Sequence, residues 1–469
     1  MLDTGVSKLS DQGIVVGLSS GATATNNFNK FSQTLDSAGK FKSIVINLPA
    51  STTFYVRAYG INSDGAGYGN EIIFTTGQDK IYKGNGPTLT TQKEVDDFGA
   101  NNYTTLINGL EIVGLDIHDL SPLKSIIIIG GSLRVTRTSL VNLKGLENVE
   151  IIGNNFFNTS SVEDNSLLVN LSGLDKVKLI NGTVQLARNS ALVNFQGLNS
   201  LTHIRGGDLG IHECNSLRNL DGLEKLMYLD GTLLIQRNAS LANIRGLKTL
   251  ATVNDDIRIG GNAELLNVDG LESLKKLRFV ALQDNRSLAD INGLRNLTEL
   301  SGFQLDQSEA IKEISALSNL KTCQNIDISR NNALLNLEGL SNIETITGQL
   351  VVYSNPKLVD MSGLEKLHTA RTISIGSNEA MINLKGLDNL KVITESAFSL
   401  GISRNDALIS LRGLENLTTV TGQMSIGFNK SLVDFCPLKL VMSTYTGDGF
   451  VTEGNAVVTD RNSILSACP

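Results

Sequence analysis

Along most of this chain a short alternation of apolar and polar positions gives way to apolar residues at steps of three. In the stretch Gly231-Thr232-Leu233-Leu234-Ile235-Gln236-Arg237-Asn238, Leu233 and Ile235 fall on one side of an alternating run, as in a strand. Leu241, Ile244 and Leu247 follow at intervals of three. The same order recurs from Gln349 to Leu364 and from Gln423 to Leu438. Taking as anchor the leucine of a repeated Gly-Leu pair, steps of 23 to 28 residues mark off about fourteen units between Leu123 and Leu438. No unit offers the ten continuous positions of helical periodicity that a helix needs, so the steps of three predict tight arcs. A unit of two dozen residues cannot bury its own apolar face, whereas stacked units bury a continuous one. The predicted fold is therefore all-β dominated, a right-handed parallel β-solenoid of about 14 coils. Strands roughly 4.8 Å apart would make it a rod of roughly 65 Å.

One polar position keeps the same register. Asn165, Asn189, Asn238, Asn262, Asn285, Asn331, Asn355, Asn378, Asn405 and Asn429 each stand about three residues before the first arc leucine or methionine, with Cys214 and Ser308 in the same slot of two other units. A turn at the core leaves backbone groups without water, and an inward amide can satisfy them in its own coil and the next. These residues are expected to form a structural ladder. Sequons such as Asn238-Ala239-Ser240 then fall on buried acceptors and carry no glycan.

Composition narrows the function classes. The net charge is −7 over 469 residues with no basic block, which disfavours nucleic acid and anionic lipid. No apolar run approaches the length of a membrane span. The N-terminus has no charged-then-apolar leader, and the chain is expected to be the interior of a longer exported protein, its export signal and anchor lying elsewhere. Four cysteines are too few for a disulfide scaffold. Cys436 and Cys468 bracket the last segment and are expected to pair, while Cys214 and Cys323 fall inside repeats as buried thiols, a usage that fits an exported protein.

The start of the array, Thr91-Gln92-Lys93-Glu94-Val95-Asp96-Asp97-Phe98-Gly99, reads as a Thr-capped short helix. It is followed by Asn101 to Leu106, Gly109-Leu110-Glu111-Ile112 and Leu120-Ser121-Pro122-Leu123. This opening, with the close from Asp434 to Cys468, resembles the receptor L-domain family, the leucine-rich ligand-binding domains of growth-factor and insulin receptors, also found in surface proteins of Bacteroidetes-type bacteria. The resemblance spans about 90 to 469, as one long array rather than two short domains, so receptor ligand-binding residues do not transfer. Upstream, Leu48 to Tyr59 and Gly69 to Thr76 resemble the last two strands of a fibronectin type III-like domain, with Phe54 in place of its corner tyrosine. Further strands are expected at Gly13 to Leu18 and Phe41 to Leu48. The expected organisation is a partial fibronectin-like β-sandwich over 1–77, a linker over 78–89, a solenoid over 90–432 with its capping helix near 91–99, and a C-terminal cap over 433–469.

No catalytic constellation stands out. Gly17-Leu18-Ser19-Ser20-Gly21 matches a nucleophile-elbow pattern, but that pattern needs a strand-turn-helix and a His partner. His118, His203, His212 and His368 lack metal-ligand spacing, and no cofactor or metal is expected. The outward mid-strand column (Arg134, Gln185, Gly210, Leu234, Arg258, Ala281, Gln304, Asp327, Val351, Ser374, Gly401, Ser425) holds no acidic pair on adjacent coils, as a polysaccharide lyase or hydrolase would require. The expectation is a non-enzymatic binding or adhesion protein of the cell surface with a macromolecular partner, protein favoured over glycan because aromatic platforms are few. Glycan capture for nutrient uptake is the alternative. Candidate contacts are Phe156 and Phe157 in the insertion of the 28-residue unit, Arg188 and Arg237 in the turn column, and Tyr353; a second insertion surrounds Phe398.

Overall fold

The computed structural model describes residues 9–32, 43, 45, 48–49, 51–154, 158–395, 397–445 and 449–468. The chain divides into two compact units, Met1–Ile81 and Tyr82–Pro469.

The first unit is a four-stranded antiparallel sheet in the order Asn29–Ser32, Asp11–Gly17, Thr53–Asn62, Gly65–Thr75. Asn62 Oδ1 accepts from the N–H groups of Asp64 and Gly65 and closes the hairpin between the last two strands. Phe54 is fully buried, its ring against Phe28 and Phe74. Tyr59 is buried too, its hydroxyl donating to Asp11, which also pairs with Lys30 at 2.6 Å. The strand expected over Phe41 to Leu48 falls largely outside the described residues.

The second unit is a parallel β-solenoid of about fifteen turns. The expected count of about fourteen rises because the ladder extends beyond the Gly-Leu units at both ends. Thr88–Leu89, inside the stretch expected to be a linker, pairs with Glu111 and Ile112, and Phe450–Val451 closes the far end against Met424 and Ser425. Each strand of the main ladder pairs in register with the strand one coil away, as in Leu234↔Arg258↔Ala281↔Gln304↔Asp327↔Val351. A second, shorter ladder runs through Thr105–Leu106, Ile128–Ile129, Ile151–Ile152, Leu179–Asn181, His203–Arg205, Tyr228–Leu229 and Thr252–Val253.

Beyond Val253 the two ladders meet. In the 229 and 253 coils, four residues step around the corner between inward positions, Leu229 to Leu233 and Val253 to Ile257. In the next coil three residues suffice, Leu277 to Val280, and one unbroken strand, Lys276–Gln283, spans both sides.

The arcs explain the Gly-Leu pairs. Gly222 has φ +111, a Cβ there would overlap the carbonyl oxygen of Phe195 in the preceding coil, and its N–H donates to Glu224 at 3.0 Å. Only glycine reaches that conformation without strain, and the tight turn drives Leu223 inward. Among the described residues six arcs form short 3₁₀ turns, Arg245–Leu247 and Glu338–Leu340 included. Among the described residues the interior is mainly a column of Leu, Ile and Val, with Phe195, Phe303, Phe435 and Tyr445 as its buried aromatics. Each fully buried aliphatic side chain there contributes roughly 1.5–3 kcal/mol, offset by the entropy of ordering the chain.

Both ends of the column are covered. Helix Gln92–Gly99 is capped by Thr91, whose side chain accepts from Glu94 N–H, while the Glu94 carboxylate takes the Thr90 N–H at 2.6 Å. At the far end stand helices Lys439–Thr444 and Arg461–Ala467, and Cys436 is disulfide-bonded to Cys468. Cys214 and Cys323 are free and buried, as expected.

Candidate functional site

The strand residues that point away from the core form three parallel columns on the main ladder. The middle column is the one read from the sequence from Gln185 onward, and Ser161, passed over there, stands between Arg134 and Gln185. To one side lie Asp256, Phe279, Gly302 and Asn325 on four successive coils, and to the other Gly260, Gln283, Asp306 and Ser329.

Where Phe279 meets Gly302 the face opens into a cleft of about 270 Å³. A Cβ at Gly302 would overlap the Phe279 ring, so the missing side chain seats the ring. Asp256 lines this cleft although it is only 3% exposed. Arg258 Nη2 donates to its Oδ2 at 2.8 Å, and the same guanidinium stands 5.5 Å from the Phe279 ring centre. Arg278 Nη2 lies 2.9 Å from Oδ1 as an ion-pair partner, but in a direction that makes no hydrogen bond, and Oδ1 receives none from the described residues. Ser301, Gln304, Gln324 and Asn325 complete the rim.

The expected contacts fare differently. Phe156 and Phe157 lie outside the described residues. Arg188 and Arg237 line one groove of about 340 Å³ on the edge of the face, with Glu163, Gln185, His212 and Glu213. Their charges are already matched. Arg188 donates to Asp164 and Glu163, each at 2.7 Å, and Arg237 to Glu213 at 3.3 Å. The Arg188 guanidinium beside Asp164 holds that carboxyl below its usual range, against the opposing effect of burial. Both arginines have positive φ, as do Arg137, Asp164, Glu213, Asp284, Gln307, Arg330 and Arg404 in the same slot. That left-handed residue turns the chain so that the Asn after it points inward. Tyr353 stands five coils beyond Gln236 in its column, about 24 Å away at strand spacing, its ring against Gly376. The structure does not bring it together with the arginines.

The asparagine ladder has a direction and is interrupted where Cys214 and Ser308 replace the amide. Asn189 Oδ1 accepts the Asn165 N–H at 3.0 Å and its side-chain amide at 3.2 Å, and Asn189 Nδ2 donates to Val162 O at 2.7 Å. The backbone groups served lie in the residue's own coil, as for Asn165 Nδ2 to Glu163 O at 2.9 Å, and in the preceding coil rather than the following one. Thr138 begins the ladder and Asn455, unrecognised in the sequence, ends it by accepting from Asn429. Two further ladders went unread. Asn142, Asn170, Asn194, Asn219, Asn243, Asn267, Asn336 and Asn383 each accept from the N–H two residues on, and Asn148, Asn296, Asn319, Asn342, Asn389 and Asn416 each donate to a carbonyl of the preceding coil.

The residue after the first arc leucine or methionine is the other unread feature. Leu335, Val359, Ile382, Ile409 and Val433 occupy this outward slot on five successive coils and are 47–52% exposed. Backbone bonds join them, Ile382 N to Val359 O and Ile409 N to Ile382 O. Together they make an apolar ridge roughly 19 Å long. Upstream the slot is broken by Arg218, Ala242, Ala289 and Lys312. The signal was present as the second of two adjacent apolar residues, one pointing in and one out.

Ser20, in the nucleophile-elbow match, donates to Glu71 at 2.7 Å, and that unit contains no histidine. Among the described residues no group of three His, Cys, Asp or Glu is placed to hold a metal, and no helix is long and apolar enough to cross a membrane. Asp306 and Asp327 do approach one guanidinium: Arg330 donates to Asp306 at 2.9 Å, and Ser329 donates to Asp327. A search against protein-family models and one against curated proteins both return no match.

Proposed function

We propose that this chain is a non-enzymatic binding protein of the cell surface, and that it docks a partner protein along the apolar ridge from Leu335 to Val433. The ridge carries the reading. Contiguous exposed apolar surface with polar rims marks protein–protein contacts. Here Lys357, Glu379, Asp406 and Lys430 stand two or three residues before ridge positions in the chain, Asp406 paired with Lys430 at 2.6 Å. The resemblance to receptor L domains supports the same reading, with the N-terminal sheet as a fibronectin-like spacer. Export is supported by the Cys436–Cys468 bridge, since such bridges persist in oxidising compartments.

The test is a panel of immobilised extracellular proteins probed with the full chain and with Ile382→Asp/Ile409→Asp. A hit abolished by the paired substitution, with the thermal midpoint unchanged, supports ridge docking. Hits that survive it, or that vanish instead on Arg188→Ala, would overturn it. Glycan capture is the second reading, favoured by one observation: an aromatic ring set in a cleft of planar polar side chains at Phe279.

A further inference from the structure

We propose that the Phe279 cleft is a saccharide subsite that takes a short, uncharged segment of glycan, stacked on the Phe279 ring and hydrogen-bonded by Asp256, Arg258, Arg278 and Gln304. This rests on the second reading above and is independent of the apolar ridge.

Three observations converge. The first is shape. The cleft, about 270 Å³, lies at the small end of ligand sites, roughly 300–1,000 Å³, which suits a few linked atoms of a polymer rather than a protein surface. Gly302 gives the ring its seat, since a Cβ there would overlap Cδ2 of Phe279. The Arg258 guanidinium stands 5.5 Å from the ring centre, so a sugar stacks on the ring beside that guanidinium. A pyranose presents an apolar face of C–H groups that a fixed aromatic ring covers well.

The second is the donor and acceptor set. Guanidinium, carboxylate and amide groups are planar and bidentate, and they match pairs of neighbouring hydroxyls. Asp256 Oδ1 supplies the most specific feature: it is buried, it lines the cleft, and it lacks a hydrogen bond. Its charge is met by the Arg278 guanidinium at 2.9 Å, a surface side chain 60% exposed, while its hydrogen-bonding capacity stays unused. A ligand hydroxyl that donates to Oδ1 takes the place Arg278 now holds, so the guanidinium swings off Oδ1 and turns to Asp255, its other carboxylate neighbour at 3.7 Å.

The third is charge. Arg258 and Arg278 are balanced by Asp256 and by Asp255, which lies 3.7 Å from Arg278. With no excess positive charge, a uronate or sulfate gains little. Hydroxyls, able both to donate and to accept, fit the mixed rim.

The experiment is an array of neutral manno-, xylo-, cello- and chito-oligosaccharides beside oligogalacturonides and sulfated glycans, probed with the full chain. Titration of any hit follows, with the Phe279→Ala, Arg278→Ala and Tyr353→Ala variants. Expected is binding of a neutral oligosaccharide, weakened about tenfold or more by Phe279→Ala, retained by Tyr353→Ala, and insensitive to salt between low and physiological ionic strength. Thermal midpoints matching the parent chain show that the variants fold. Binding to no glycan overturns the proposal. So does binding confined to acidic glycans and lost in salt, or binding lost on Tyr353→Ala and kept on Phe279→Ala; this last outcome leaves glycan capture standing and moves its site. Ile382→Asp/Ile409→Asp, which disables the ridge, leaves the expected glycan binding intact.

Discussion

Asn262 Oδ1 lies at a distance of 3.2 Å from Asn238 Nδ2, one coil back, while Asn262 Nδ2 donates to Ile235 O at 2.9 Å. The same oxygen takes the Asn238 N–H at 3.0 Å, so one side chain closes three polar groups that no water reaches. Asn262→Ala would strand the Asn238 N–H and the Ile235 carbonyl side. Each buried orphan costs about 1–3 kcal/mol, so the expected loss is about 2–6 kcal/mol. Asn243→Ala, at an exposed turn where Asn243 accepts only from Arg245 N–H, should cost about 1 kcal/mol or less. Urea denaturation of the two variants compares them, and equal losses would refute the ladder's role.

Ser308 is the ladder's weak rung. Its N–H reaches Asn331 at 3.1 Å, but its hydroxyl is buried without a hydrogen-bond partner. An asparagine there would place an amide against Asn285 N–H and the Leu282 carbonyl, the equivalents of the groups the asparagine rungs serve. Ser308→Asn is expected to stabilise the chain by about 1 kcal/mol. A lowered denaturation midpoint would mean the coil has closed around the smaller side chain.

The ladder was legible because one residue type repeats at one register, and so were the strands and arcs, whose apolar spacing is unequal. The middle outward column also came through, since alternation from a buried anchor fixes which side each residue takes. The Phe279 cleft was not legible. It joins Asp256, Phe279, Gly302 and Asn325 from four coils, and it exists because a glycine in one coil faces an aromatic in the next. A repeat reading aligns like with like, and this pairing is a departure from the repeat. The arginine turns were seen as a charged column, but their left-handed backbone and their pairing with carboxylates one coil back follow from geometry the spacing does not carry.

The thiols give a separate check. Burial pushes the Cys214 and Cys323 thiols up to about 11. At pH 8 both should be protonated and shielded, and only the thiolate attacks a disulfide reagent. The native chain is expected to show no fast-reacting thiol, the unfolded chain two, and the unfolded, reduced chain four, in agreement with one bridge and two free cysteines. A fast native thiol would locate an opening of the coil at Cys214 or Cys323.

Stability should fall with pH in two stages. Burial lowers the pKa values of His203 and His212 below their ordinary 6.5. His212 also feels Glu213 and Glu163, which oppose the shift, and Arg188 and Arg237, which assist it. As pH drops below 6.5 the unfolded chain takes up protons that the folded chain refuses, so the stability present above 6.5 is lost progressively until the folded histidines protonate too. The carboxylates act lower. Hydrogen bonds hold Asp164, Asp119, Asp460 and Glu94 below their ordinary values of 3.8 and 4.5, the first through Arg188 and the others chiefly through backbone N–H groups. Their contribution is complete above those values and disappears as pH falls through the lower folded ones. A plot of thermal midpoint against pH should therefore decline gently from about 6.5 and steeply below about 4.5. His203→Gln/His212→Gln should flatten the first decline and leave the second. A first decline that persists in that variant would assign it to groups other than these two histidines.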